Sequence, residues 1–119
     1  IKSINFMKLL KEFIISALED NKAEDIISIN VQNKTSVTDY MIIVSGRSSR
    51  HVKSIADNLI KILKKNKIKP IGIEGYTKSE WILLDFGDLL VHVMHPDKRN
   101  FYTLEKLWDE NIEADNYTF

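Results

Sequence analysis

The sequence of 119 residues contains no cysteine. Disulfides, thiolate nucleophiles and cysteine-ligated zinc are therefore excluded as sources of stability or chemistry. It has only two prolines and four glycines, which argues against a disordered chain. Charge of one prevailing sign is also missing, since 17 Lys and Arg balance 17 Asp and Glu. No net field advertises nucleic acid or membrane as a partner, although a local basic patch is compatible with neutrality. No apolar run approaches the roughly 20 residues that span a bilayer, and no signal-peptide pattern opens the chain. The expectation is a cytoplasmic protein without membrane contact. What remains is ordinary for a packed domain: 44% hydrophobic and 29% charged residues, in a length that suits one domain.

Periodicity orders the elements. Leu9, Leu10, Phe13, Ile14, Ala17 and Leu18 recur at helical spacing, predicting a helix from about Met7 to Asp20. The first residue is Ile1, which leaves two readings: a true start that is missing, or a segment before Met7 that is an extension. Asp25 to Val31 alternates like a strand, with Ile27, Ile29 and Val31 on one side, and polar Gln32 to Thr38 reads as a loop. Tyr40 to Ser45 is a short apolar run of the kind found in buried strands. After Gly46, Ser48 or Ser49 suits a helix N-cap. Val52, Ile55, Ala56, Leu59, Ile60 and Leu63 then mark one face of a second helix, which Lys65 to Lys69 ends before Pro70.

Three strands follow at Ile71–Glu74, Trp81–Asp85 and Leu89–His95, the last two joined as a hairpin through Phe86-Gly87-Asp88. Pro96-Asp97 opens a third helix, with Phe101, Leu104, Leu107 and Trp108 as its apolar face. The predicted fold class is α/β: a single mixed five-stranded sheet with three helices in the order αββαβββα. It forms one domain over 1–119, with an ordered core at 7–108 and an acidic tail at 109–119.

Side chains alternate across strands, so Ile82, Leu84, Val91 and Val93 make one aliphatic sheet face, the natural seat for helices. The other face mixes Trp81, Leu83, Asp85, Leu90, His92 and Met94. That mixture has two readings: a contact surface, where Trp and Met are enriched, or a second core layer that simply buries Trp81.

Asp85 and Asp88 invite an enzymatic reading, because nucleotidyltransferases hold magnesium with acids one residue apart on a strand. Here the acids are three apart with a turn between them, and such acids more often cap backbone groups. Ser45-Gly46-Arg47-Ser48 only faintly resembles a phosphate-holding loop, and most such segments merely start a helix. His92 and His95 are three apart on a strand and point to opposite faces, which argues against a shared metal. His51 fits a role at the start of the second helix, and Arg99 and Glu105 would frame the exposed side of the third. Arg47, Arg50 and Lys53 form a small basic cluster: ordinarily a solvated face, alternatively a contact for RNA phosphates.

Three blocks carry a family resemblance. Asp39-Tyr40-Met41-Ile42-Ile43-Val44-Ser45-Gly46 leads into Ser48-Ser49-Arg50-His51-Val52. Gly72-Ile73-Glu74-Gly75 precedes Trp81-Ile82-Leu83-Leu84-Asp85-Phe86-Gly87-Asp88. Val91-His92-Val93-Met94 precedes Arg99-Asn100-Phe101-Tyr102-Thr103-Leu104-Glu105-Lys106-Leu107-Trp108. In this order and spacing they resemble the Iojap family, also called ribosomal silencing factors. The resemblance covers most of the chain and fades at the first residues and in the acidic tail.

It implies a fold related to nucleotidyltransferases without their catalytic motif, and a non-enzymatic protein that needs no cofactor or metal. The implied partner is the large ribosomal subunit, through large-subunit ribosomal protein fourteen, with steric exclusion of the small subunit and repression of translation as the outcome. On this resemblance the mixed sheet face is expected to be exposed and to bind the partner through Trp81, Leu83, Asp85, His92 and Met94, with Glu74 beside them. Arg47, Arg50 and Lys53 become candidates for ribosomal RNA contact. An assembly factor for the same subunit would need the same surface. A nucleotidyltransferase-like enzyme is the weaker alternative. An exposed strand edge would also allow a homodimer.

Overall fold

The computed structural model describes residues 2–107. Its elements are α1 (Lys2–Asp20), β1 (Glu24–Asn30), β2 (Tyr40–Ser45), α2 (Ser49–Lys65), β3 (Gly72–Glu74), β4 (Trp81–Asp85), β5 (Leu89–Met94), α3 (Pro96–Tyr102) and α4 (Leu104–Leu107). They form one five-stranded sheet in the order β1-β2-β5-β4-β3, the α/β class expected from the sequence. Trp108 and the acidic segment 109–119 lie outside the described residues.

The topology follows from one long connection. Strand β2 leads into α2, which delivers the chain to β3 at the far edge. Strands β3, β4 and β5 then return as an antiparallel meander. The return places β5 beside β2 in parallel, in register from Tyr40↔Leu89 to Ser45↔Met94. Strand β1 closes the other edge antiparallel to β2, with its register shifted between Glu24 and Ile27, where Asp25 has φ 52°.

The start of α2 is built locally. Ser48 is the N-cap, its Oγ accepting the His51 N–H at 3.1 Å. The His51 ring extends the cap: Nδ1 accepts the Arg47 N–H at 2.9 Å, and Nε2 sits 2.9 Å from the Asn21 carbonyl. With Nδ1 occupied as an acceptor, Nε2 carries the proton and donates to Asn21. The role expected for His51 at the helix start therefore holds, and it also ties α2 to the end of α1.

Strand limits shift by at most a single residue, and two larger differences from the sequence reading stand out. Helix α1 begins at Lys2 rather than Met7, since residues 2–6 contain no glycine or proline to stop it. The third helix is broken at Thr103, which takes the left-handed conformation (φ 44°, ψ 53°) and donates its N–H to the Arg99 carbonyl. The periodic spacing of Leu104 and Leu107 continues across that break, so pattern alone did not reveal it.

The main core lies between the sheet and the α1/α2 layer. Ile42, Val44, Ile82, Leu84, Val91 and Val93 meet Leu10, Ile14, Leu18, Val52, Ile55, Leu59 and Leu63 there, as the aliphatic face predicted. Truncating Ile42 or Leu84 to Ala would cost about 2–5 kcal/mol.

The loop from Gly75 to Glu80 folds tightly back on β4. The Ser79 N–H donates to the Gly75 carbonyl and Ser79 Oγ to the Tyr76 carbonyl. Gly75 has φ +78°, and a Cβ there would collide with the Trp81 carbonyl, whereas a Cβ at Gly72 would meet nothing. Gly75→Ala is therefore expected to destabilise the domain by about 1–3 kcal/mol and Gly72→Ala to leave it nearly unchanged. Thermal melts of the two variants check this, and equal melting temperatures would refute it.

Candidate functional site

Cross-strand register sets the mixed sheet face in rows. One row runs Ile43, His92, Leu83, Glu74 across β2, β5, β4 and β3; its neighbour runs Ser45, Met94, Trp81. The residues selected from the sequence are thus neighbours on one face, as alternation required. Their exposure is graded. Ile43 and Met94 are fully buried and His92 is 7% exposed, while Trp81, Leu83 and Asp85 are half-buried and Glu74 is exposed.

The expectation of an open face is therefore corrected for its inner half. Met41, Ile43, Leu90, Met94 and Leu104 form a second core cluster, with Ile29, Trp81 and Leu83 packed against it. The break at Thr103 is what allows α4 to set Leu104 there. Arg99 is corrected as well: it is buried and donates from Nη1 to Ser45 Oγ at 3.0 Å instead of framing an exposed surface. The side chains of Phe101 and Glu105 lie outside what the structure describes.

Trp81 joins the buried and open halves. Its indole Nε1 donates to His92 Nδ1 at 2.9 Å, with the rings tilted at 48° and 5.8 Å between centroids. Its outer edge lines a cleft of about 400 Å3 with Gly75, Tyr76, Thr77, Lys78, Glu80 and Lys98. Lys98 and Glu80 form an ion pair at 3.5 Å on that rim. The sequence reading missed Tyr76, Lys78, Glu80 and Lys98; the signal available was the turn-forming Gly75-Tyr76-Thr77 immediately before Trp81.

The basic cluster is partly neutralised. Arg47 Nε pairs with Glu24 Oε2 at 3.2 Å, and Lys53 Nζ lies 5.2 Å from the centre of the Tyr76 ring, a cation–π arrangement. Arg50 is exposed. Tyr76 also donates its hydroxyl to Asp57 Oδ1 at 2.7 Å, a bond that raises the phenol's pKa by favouring its protonated form. Through Tyr76 the Lys53 edge of the basic cluster is continuous with the Trp81 cleft.

Asp85 closes the hairpin turn, Oδ1 accepting the Gly87 N–H at 2.8 Å. Asp88 is exposed, and its carbonyl accepts the Asp39 and Tyr40 N–H groups. His95 is the N-cap of α3, its Nδ1 accepting the Asp97 N–H at 3.2 Å, well separated in role from His92. Among the described residues no three His, Asp or Glu side chains cluster as a metal site would require.

His92 gives the site a pH signature. Burial pushes its pKa from 6.5 down to about 4, because the imidazolium would lose its hydration. With Nδ1 accepting from Trp81, the neutral ring carries its proton on Nε2, which is buried and has no hydrogen-bond partner among the described residues. Between the two pKa values the unfolded chain binds a proton that the folded chain refuses. Stability is full above about pH 6.5 and falls as the pH drops toward 4, by at most about 3 kcal/mol. Urea unfolding of the wild type and His92→Gln across this range should show a shallower acid loss in the variant. Equal slopes would remove His92 as the cause.

Comparison with known proteins places this geometry. The family model described as "Ribosomal silencing factor during starvation" matches residues 5–118. The chain is 46% identical over 99 residues to ribosomal silencing factor RsfS of Haemophilus influenzae, covering 83% of this chain and 97% of that protein. It is 37% identical over 100 residues to a Mus musculus protein named "Mitochondrial assembly of ribosomal large subunit protein 1", covering 82% of this chain and 44% of that one. A crystal structure of a protein from Chromobacterium violaceum superposes with a TM-score of 0.82 at 40% identity, covering 85% of this chain and 84% of the other. With nearly its whole length matched and the same sheet and helices in a solved relative, this chain belongs to the ribosomal silencing factor family.

Proposed function

We propose that this protein silences translation by docking on the large ribosomal subunit through large-subunit ribosomal protein fourteen. A folded domain seated at the joining face excludes the small subunit sterically. Family membership supports the silencing role. The observation that carries the docking surface is Trp81, an aromatic side chain anchored from behind by His92 and open in front to a charged cleft. Binding energy concentrates on such residues: a held aromatic ring gives up little freedom on binding, and its surroundings exclude water from the contact.

The partner surface comprises Trp81, Leu83, Asp85 and Glu74, framed by Lys78, Glu80 and Lys98. His92 and Met94 act from beneath, by holding Trp81 and the strand in place. Arg50 is the member of the basic cluster best disposed toward ribosomal RNA, because Arg47 is paired with Glu24 and Lys53 is stacked on Tyr76. A second reading, that the protein assists assembly of the large subunit, is favoured by the name of the mouse relative, of which this chain spans less than half.

Sedimentation of the purified protein with large subunits, small subunits and assembled ribosomes tests the proposal. Selective binding to free large subunits, with fewer assembled ribosomes as protein is added, is the silencing result. Binding to immature large subunits alone favours the assembly reading, and no binding to either subunit overturns both. Trp81→Ala is expected to weaken large-subunit binding at least about tenfold, with a stability loss of about 2–3 kcal/mol from the packing it also provides. Lys78→Glu separates the two effects, since Lys78 is exposed: binding should fall with the melting temperature unchanged. If both variants co-sediment like the wild type, the cleft is not the contact.

A further inference from the structure

The outer side of α1 is not wholly polar. Leu10, Ile14, Ala17 and Leu18 are buried in the main core, but Phe6, Leu9 and Phe13, spaced by three and four residues, stay 51%, 65% and 39% exposed. With Leu10, Asn66 and Ile68 they line a groove of about 290 Å3 between α1 and the turn that follows α2. That turn is fixed. The Asn66 and Ile68 N–H groups both donate to the Leu63 carbonyl, Asn66 Nδ2 donates to the Ile62 carbonyl, and Lys67 takes φ 62° between them. The apolar wall that Ile68 presents is part of a closed helix cap.

The α2 side of the groove is basic, while exposed Glu12 lies on the α1 side beside Phe13. Lys61, Lys64, Lys65, Lys67 and Lys69 fall within nine consecutive residues and all are exposed; the sequence has no acid between Asp57 and Glu74. Lys65, Lys67 and Lys69 alternate with the lining residues Asn66 and Ile68. Among the described residues none of the five lysines is in an ion pair. Isolated exposed leucines and solvated lysine runs are each commonplace. An apolar groove bordered along one wall by a run of exposed lysines is a specific combination, and it defines the complement.

We propose that this groove docks an acidic amphipathic helix of a partner protein. Large apolar side chains at helical spacing fill the groove between α1 and Ile68, and carboxylates on the flanking positions meet the lysines. The concave shape suits discrete side-chain anchors better than a flat lipid surface. Among the described residues Asn66 is the only side-chain amide in the lining, which leaves little to read a nucleobase edge. A second copy of this chain would bring the same lysines into mutual repulsion. The groove lies on the helix-covered side of the sheet, opposite the second core that holds Trp81. Both surfaces can therefore be occupied together, and this site stands independently of the ribosome-docking proposal.

The test uses the full chain and a fluorescein-labelled synthetic helical peptide with Leu and Phe on one face and Glu elsewhere, read by fluorescence polarisation. Saturable binding is expected, weakening as salt screens the lysines. The same peptide with Lys for Glu should bind at least about tenfold more weakly. Leu9→Ser removes an exposed anchor, and Lys65→Glu with Lys69→Glu reverses the rim; each is expected to weaken binding at least about tenfold at an unchanged melting temperature. Large-subunit co-sedimentation should be unaffected by either change, which separates this groove from the Trp81 cleft. The proposal is overturned if the acidic peptide does not bind, or if its binding ignores these substitutions. It is equally overturned if oligouridylate or phosphatidylglycerol vesicles bind through Leu9 and the lysines more tightly than the peptide, or if the chain self-associates through Leu9.

Discussion

The parallel pairing of β2 with β5 governs the rest of the molecule. Met41 to Ser45 and all six residues of β5 are buried, and a parallel pair at the centre of a sheet needs cover on both faces. Helices α1 and α2 supply one cover. The C-terminal segment supplies the other by turning at Thr103 and placing Leu104 against Met41, Ile43 and Met94. The meander is longer than this second cover, so β4 and β3 extend past it. The open half of the mixed face is the part that the described elements leave half-buried or exposed.

Polar groups mark the boundary between the covered and open halves. Arg99 Nη1 donates to Ser45 Oγ inside the second layer, and His92 Nδ1 accepts the indole N–H of Trp81. Each buried polar atom restricts its neighbour to one geometry, because an alternative placement would strand a donor away from water. The consequence for Trp81 is a fixed ring presented to the cleft, with little conformational freedom left to lose on binding. The same arrangement leaves His92 Nε2 without a partner among the described residues, a local cost borne by the surrounding fold.

The two faces of the domain now carry distinct chemistry. The Trp81 cleft is aromatic, with charges of both signs at Lys78, Glu80 and Lys98. The α1 groove is aliphatic and aromatic, with exposed Lys65, Lys67 and Lys69 flanking its Asn66 and Ile68 wall. A neutral total therefore hides a strongly asymmetric distribution: the lysines gathered after Asp57 are balanced by acids elsewhere in the chain.

Much of this was legible in the residues. Period-two alternation gave Ile82, Leu84, Val91 and Val93 to one face, and the 3.6-residue period gave Val52, Ile55, Leu59 and Leu63 to the buried side of α2. The turn at Gly87 and the cap at Ser48 were readable because each depends on a few adjacent residues. Strand order was not, since β5 pairs with a strand more than forty residues earlier only because α2 carries the chain across the sheet. Nor was the fate of the mixed face. Alternation says which side chains share a face; whether Met94 meets solvent or Leu104 depends on one left-handed residue, Thr103, whose side chain carries no turn signal. The sequence by itself determined the elements, their faces and the family, because those rest on local spacing and residue type. Only tertiary structure decided which half of a shared face is core and which is surface, because burial is set by contacts between segments distant in the chain.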